Sequence, residues 1–415
     1  MKFKLTALEK KWVLYDVANS AFTLLISTIM PIYFNYLADG AGLSSVDYLA
    51  YWGYATSLVT VLVAILGPTL GTMSDLQGRK KKFFLGSVLI GSVGCVVLGF
   101  MQSWIWFLVL FVLSKTAYSS SLVFYDAMLP DITQRERMDE VSSYGYAWGY
   151  IGSCIPFVAC LLLVLSYESM GISMETAMAL AFFLVAAWWL GGAVPLLRAY
   201  RQKHYVQARH APVAESFRRL GNVFSELRRK PEILFFLLAF FFYIDGVYTV
   251  IDMATAYGTA LGLDTTGLLL ALLLTQVVAF PCSIFFGRLS RRMDARVILS
   301  ICIGAYFGIA VFAFWLESLT DFWILAVCVG MFQGTIQAMS RSYYSNIIPA
   351  ERAGEYFGIY DICGKGAAFT GTILVSVVSQ VTHSTNAGVG SLTVMFLIGF
   401  LLFQVAAGKR TQQNA

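Results

Sequence analysis

Little in this chain could carry out hydrolytic, redox or nucleotide-driven chemistry. Three histidines occur in 415 residues, His204, His210 and His383, and no HExxH run accompanies them, so a helix-borne zinc site lacks its ligands. GxSxG is absent, which removes a serine nucleophile on a strand-to-helix turn. GxxxxGKS/T is absent too, which removes a phosphate-cradling loop. The seven cysteines (Cys95, Cys154, Cys160, Cys282, Cys302, Cys328 and Cys363) include no CxxC pair and fall inside apolar stretches, where they read as small packing residues. Charge itself is scarce. With 13% charged and 58% hydrophobic residues, a soluble fold would have too little polar surface to cover itself.

What the chain has instead is long apolar segments, predicted to span a membrane as helices at 12–37, 48–73, 83–101, 105–125, 143–166, 177–197, 233–259, 266–287, 297–315, 322–340, 354–380 and 389–408. Each is near the ~20 residues needed to cross the hydrocarbon. A closed barrel is excluded because the runs are continuous, with no short alternating strands. All but Lys115 and Lys365 of the 29 lysines and arginines lie at the ends of these segments in every second gap, and the alternate gaps hold only acids such as Asp39, Asp47, Glu168, Glu175, Asp264, Glu317 and Asp321. By the positive-inside rule the base-rich gaps are cytoplasmic, and so are both termini. The basic balance therefore reflects lipid headgroups, not nucleic acid. The first segment contains Asp16 and Asn19 and has no small-residue cleavage site, so it reads as a retained helix, not a signal peptide. Trp104, Trp106, Trp188, Trp189, Trp315 and Trp323 lie toward segment ends and read as interfacial anchors.

The hydrophilic stretch from Arg198 to Glu232 divides the segments six and six, giving a bundle over 1–199, a cytoplasmic linker over 200–232 and a second bundle over 233–415. The halves repeat. Gly71-Thr72-Met73-Ser74-Asp75 and Gly287-Arg288-Leu289-Ser290-Arg291 each follow the second span of their half. Leu129-Pro130 with Glu136-Arg137, and Ile348-Pro349 with Glu351-Arg352, follow the fourth. The fold class is thus an all-α integral membrane protein of twelve helices in two pseudo-symmetric bundles, an organisation that supports alternating access.

Polar residues mark a path. In span one, Asp16, Asn19, Ser20, Thr23 and Ser27 share a helix face; span four carries Lys115 and Ser119, with Asp126 at its end. Span seven places Asp245 and Asp252 two turns apart, and span ten carries Gln333, Gln337 and Arg341 at successive steps of four. Serine and threonine within such stripes commonly glue helices together, at about 0.6 kcal/mol per bond, and that reading is favoured for Ser20, Thr23, Ser27 and Ser119. Ionisable groups at mid-membrane cost several kcal/mol and mark a partner or a water-filled path. Lys115 and Asp245 lie roughly halfway across by the ~1.5 Å rise per residue. Asp245 would take a proton or an amino group and Lys115 a carboxylate, or the two would form a permanent ion pair. Asp16 either titrates or caps local contacts with Asn19. Asp361 and Lys365, at i and i+4 in span eleven, either pair within their helix or form a switchable contact.

The loop Gly71-Thr72-Met73-Ser74-Asp75-Leu76-Gln77-Gly78-Arg79-Lys80-Lys81 resembles the motif between spans two and three of the major facilitator superfamily. A glycine-bearing turn there carries an acid that can meet a helix N-terminus, so Gly71, Asp75, Gly78 and Arg79 are gating candidates; Arg79 to Lys82 could also simply anchor to lipid headgroups. In the second half Arg291 stands in place of the acid, making the latch one-sided. Tyr15-Asp16-Val17-Ala18-Asn19-Ser20-Ala21-Phe22, Phe124-Tyr125-Asp126-Ala127-Met128-Leu129-Pro130, Asp245-Gly246 and Phe332-Gln333-Gly334-Thr335-Ile336-Gln337-Ala338-Met339-Ser340-Arg341-Ser342 resemble one family of that superfamily, the unknown-major-facilitator group that includes fungal vacuolar amino-acid effluxers. Val17 stands where that family has Trp, and Asp126 where it has Asn. The resemblance implies a secondary active transporter of a small polar solute, such as an amino acid, by alternating access with proton coupling. The expectation further includes no cofactor or metal, a monomer, and residence in the plasma membrane; a transporter-like sensor or a membrane-embedded enzyme are the alternatives.

Overall fold

A computed structural model describes residues 4–207 and 226–414; the side chains of 45, 46, 49, 255, 256, 259, 260, 265, 266, 269, 365–369 and 410–414 lie outside the description. The central part of the linker, with His210, Pro212, Arg218 and Arg219, is outside the described residues. The long helices are α1 (Ala7–Gly40), α2 (Ser45–Ser74), α3 (Lys80–Leu98), α4 (Trp104–Ala127), α5 (Met138–Ser166), α6 (Met174–Ala199), α7 (Pro231–Ala260), α8 (Thr265–Leu289), α9 (Ala295–Phe312), α10 (Leu319–Ile347), α11 (Ala353–Thr382) and α12 (Leu392–Asn414). Among the described residues eleven helical stretches are long and apolar enough to cross a membrane, and Thr370–Thr382 of α11 is a shorter apolar one. The chain is an all-helical integral membrane protein.

The acids of the base-free gaps have a local task, since several start helices. Ser44 accepts from Asp47 N–H, Asp264 accepts from Gly267 N–H at 2.7 Å, and Ser318 and Asp321 form a reciprocal capping box. Each supplies an acceptor to amides that have none inside the helix, and a negative group suits that end of the helix dipole. Helix α1 widens to a π-turn over Leu25–Ile29 just before Pro31. Proline has no N–H and its ring crowds the preceding turn, so the wider turn lets the helix continue.

The chain divides into two compact units. Unit 1 comprises residues 1–132, 148–211 and 351–358; unit 2 comprises 133–147, 212–350 and 359–415. Helices α5 and α11 each supply residues to both. Within unit 1, α3 packs on α4, α1 on α6, α2 on α4 and α3 on α6. Within unit 2 the same relations recur as α9 on α10, α7 on α12, α8 on α10 and α9 on α12. The sequence repeat is thus a repeat of packing. In lipid the driving force between helices is close packing and interhelical hydrogen bonding, and the first bundle shows both: Trp12 and Tyr125 stack at 4.4 Å, and each side chain donates to the other's backbone carbonyl. Trp189 is not an interfacial anchor. It is fully buried and donates to Tyr15 Oη at 3.2 Å, because it sits mid-helix on the face of α6 that meets α1.

Candidate functional site

In unit 2, Asp245 on α7 is completely buried. Its Oδ1 accepts from Gly371 N–H of α11 at 3.0 Å and from Thr249 Oγ1, one turn along α7, at 3.3 Å. Among the described residues its Oδ2 has no hydrogen-bond partner. The approach of α11 requires glycine at 371, since a Cβ there would stand 2.7 Å from Asp245 Oδ1. One oxygen is saturated and the other bare, in surroundings where an unmatched charge is costly. Asp252, two turns further along α7, is exposed.

In unit 1 the polar stripe of α1 meets α4. Asn19 Nδ2 donates to Tyr15 O and, at 3.4 Å, to Asp16 Oδ1, while Tyr118 Oη of α4 donates to Asn19 Oδ1 at 3.3 Å. Thr23 Oγ1 and Tyr118 Oη lie 2.6 Å apart, the helix-joining role expected of Thr23. Below them Tyr15 Oη bonds Ser121 Oγ at 2.8 Å. Asp16 and Asn19 are buried, whereas Thr23 and Ser27 are exposed, so the stripe opens along its length. Lys115 is half-buried, with its ammonium over the Phe111 ring at 5.5 Å. A cavity of about 380 Å³ lined by Tyr33, Gln102, Glu175 and Phe183 includes none of the expected site residues.

On α10, Gln333 and Gln337 are buried. Arg341 does more than continue their stripe. It is 2% exposed, it donates through Nε to Ser142 Oγ at 2.9 Å and through Nη2 to Ser142 O at 3.0 Å, and it lies over the Tyr146 ring at 4.4 Å. All of these partners are on the first turns of α5.

The gating candidates assemble at the end of α2. Gly78 has φ +72°, which glycine adopts without strain. Gly71 faces Gly354 of α11, and a Cβ on Gly71 would stand 2.7 Å from the Gly354 carbonyl carbon, so two glycines permit this crossing. Asp75 Oδ1 accepts from Gly354 N–H at 2.8 Å and Oδ2 from Glu355 N–H at 2.9 Å. These are first-turn amides with no acceptor inside their helix. Lys80 Nζ stands 3.4 Å from Asp75 Oδ1 and donates to Ala127 O at 3.1 Å. Burial pushes the Asp75 carboxyl up to about 6, against the lowering effect of Lys80 and the two amides. Arg79 is half-buried. Asp361 is half-buried, and the side chain of Lys365 lies outside the described residues.

The second half has its own contact, so the expectation of a one-sided latch is corrected. Arg291, at the position equivalent to Asp75, meets Glu140 of α5 at 2.7 Å, and a Cβ on Gly287 would lie 2.8 Å from Ser143 Oγ. The helix start is again gripped, with the acid moved to the gripped helix. Among the described residues no group of three or more His, Cys, Asp or Glu could hold a metal ion.

Residues 8–415 match the family described as vacuole effluxer Atg22 like. The chain belongs to this Atg22-like family of major facilitator transporters. It is 40% identical to the MFS-type transporter YxiO of Bacillus subtilis, over 97% of this chain and 95% of that one. It is 21% identical to autophagy-related protein 22 of Coccidioides immitis, over 86% and 72% respectively. Among solved structures it is similar to the major facilitator transporter FucP in the outward conformation, with a TM-score of 0.75 at 13% identity over 96% of this chain and 97% of that one. It is also similar to the human organic anion transporter MFSD10, at 0.70 and 14% over 96% and 99%. Relatives and structural neighbours alike are transporters, not enzymes.

Four residues of the candidate site in this Atg22-like transporter were not singled out from sequence. Lys80 looked like one member of a lipid-facing basic cluster, yet it is fully buried; the signal was its position five residues after an acid in a tight turn. Gly371 is one of many glycines. Glu140 is one of several acids, legible only through the repeat. Asp131 follows Pro130 directly, and its partners lie 69 to 73 residues away on the linker.

Proposed function

We propose that this transporter moves a small polar solute, with amino acids the favoured class, by alternating access of the halves 1–199 and 233–415 joined by the linker 200–232, and that transport is coupled to protons through Asp245. The observation that carries the reading is the bare Oδ2 of a wholly buried carboxyl whose Oδ1 already has two donors. A single uncompensated oxygen suits a proton. An ammonium group brings three donors, more than one free carboxyl oxygen beside the Gly371 N–H can satisfy. Intramembrane ionisable groups of this kind mark proton relays in transporters. Asp16, Asn19 and Lys115 in one half, and Asp252, Gln333, Gln337 and Arg341 in the other, are the solute and proton pathway. Lys115 offers a partner to a carboxylate. Gly71, Asp75, Gly78 and Arg79, with Asp361 and Lys365, form the gate. The amino-acid class is supported by the family's resemblance to vacuolar amino-acid effluxers. The protein works as a monomer in the cell membrane, with both termini cytoplasmic.

Counterflow in proteoliposomes tests this. Wild type loaded with unlabelled amino acids is expected to take up a defined subset of labelled ones, and Asp245→Asn to keep exchange while losing uptake driven by a pH gradient. No exchange of any amino acid withdraws the class. Gradient-driven uptake by Asp245→Asn equal to that of wild type withdraws the coupling.

A further inference from the structure

The first residues of the linker are not slack. Asp131, 1% exposed, is held by this segment: it accepts from Tyr200 Oη at 2.5 Å on Oδ2, and on Oδ1 from the backbone N–H groups of Lys203 at 3.2 Å and His204 at 2.9 Å with His204 Nδ1 at 2.8 Å. Burial and Asp131 raise the Tyr200 phenol well above its ordinary value, so it stays a donor. Anchored there, the segment runs across the end of α2. Val206 N–H donates to Asp75 O at 2.9 Å, and Leu76 and Val206 form a parallel bridge. Gln202 spans the gap between helices, donating through Nε2 to Ser74 O and Asp75 O at 3.4 Å and accepting from Lys80 N–H at 3.4 Å. The backbone of Asp75 is therefore held from one side by the linker while its carboxylate holds α11 from the other.

We propose that Tyr200–Val206 is a strap, anchored by Asp131, that positions Asp75 for the first turn of α11, so that the linker sets the strength of the gate. Asp131 and Val206 are positioning residues, since their hydrogen bonds go to the strap and to the backbone of Asp75. The proposal rests on the reading of Asp75 as a gating group and goes beyond it by giving the linker a role in the gate. Releasing the strap leaves the Asp75 carboxylate free to turn toward water and frees the Gly354 and Glu355 amides, which have no other acceptor in their helix.

Hydrogen exchange of the Gly354 and Glu355 amides, measured on the full chain in lipid nanodiscs, reads the contact directly. Asp75→Ala tests the gate reading: unchanged exchange there removes the contact and the strap together. Val206→Pro deletes one N–H at an extended position, and Asp131→Ala deletes the anchor. Each is expected to speed exchange at 354–355 roughly fivefold, the worth of a backbone hydrogen bond, with no further increase in combination with Asp75→Ala. Each should also change the maximal transport rate while leaving the half-saturating solute concentration unchanged, and should lower the pH at which the contact titrates. If Asp75→Ala speeds exchange but Val206→Pro does not, or if the effects add, the strap is overturned while the gate stands. Should Asp131→Ala fail to fold, Val206→Pro decides alone.

Discussion

Arg291 Nε and Glu140 Oε1 meet at 2.7 Å where the other half places Asp75 against the amides of Gly354 and Glu355. Equivalent turns thus grip equivalent helix starts with opposite chemistry. In one, an acid binds backbone N–H groups; in the other, a base binds a side-chain acid. The Arg291 side chain is 38% exposed and that of Glu140 almost wholly buried, and this asymmetry has a measurable consequence.

Removing the base strands a buried acid, whereas removing the acid releases a guanidinium that can turn to water. Arg291→Met is therefore expected to destabilise by about 1–2 kcal/mol, and Glu140→Gln by less than half of that, allowing for the exposed partner. Thermal unfolding in one detergent compares them. Equal losses would mean that the difference in burial between the two partners does not decide the cost of breaking the pair.

The glycine crossing gives a steric prediction. A Cβ on Gly354 would lie 2.5 Å from the Gly71 carbonyl oxygen, which is backbone and cannot give way, and 2.8 Å from Asp75 Oδ1. Gly354→Val is expected to part α2 from the start of α11, at about 1–3 kcal/mol for overpacking. Gly78→Ala meets no atom within 4 Å but is strained at φ +72°, and should cost about 1 kcal/mol while leaving the crossing intact. Cross-linking yield between cysteines placed in α2 and in the first turn of α11 separates the two.

At the second close approach, Gly371→Ala is expected to push the helix off Asp245 and Thr249. Its N–H would no longer reach Oδ1, leaving the carboxyl with Thr249 as its one remaining donor. Gradient-driven uptake should fall at least tenfold if proximity between these groups matters as geometry does in other polar sites, and counterflow should fall less. Uptake within twofold of wild type would show that the α11 contact is dispensable.

The helices, their alternating base-rich ends and the repeat were legible because lipid imposes them: backbone groups must be satisfied within each span, and bases remain on one side. Asp245 and Asp75 were legible for the same reason, as acids where an acid is costly or where a turn demands one. Lys80, Asp131, Glu140 and Gly371 were not. Each depends on which residues distant in sequence arrive beside it, and an acid with donors from a linker some 70 residues away looks in sequence like any surface acid. Trp189 misled by its type, since tryptophan is common at interfaces, while its Nε1 had found a buried tyrosine.

Asp75 makes the gate sensitive to pH, with a sign opposite to simple loss of an ionic contact. In the gripped state its carboxyl titrates at about 6, with Lys80, Glu355 and the Gly354 and Glu355 amides facing it; its ordinary value is 3.8. If release hydrates the group, the gripped state holds the proton more tightly, so protonation favours it. The stabilisation is complete below about 3.8 and is lost as pH rises through about 6. Exchange at the 354–355 amides, corrected for its intrinsic pH dependence, should therefore report a gripped population that grows between pH 6.5 and 4.5, by roughly tenfold given about one pH unit of effective linkage. Asp75→Asn should flatten the dependence, because the amide keeps the shape and has no proton to exchange. A gripped population that shrinks on acidification would mean that the lost charge on Asp75 outweighs the relief of its burial, and that Lys80 and the two amides dominate the site.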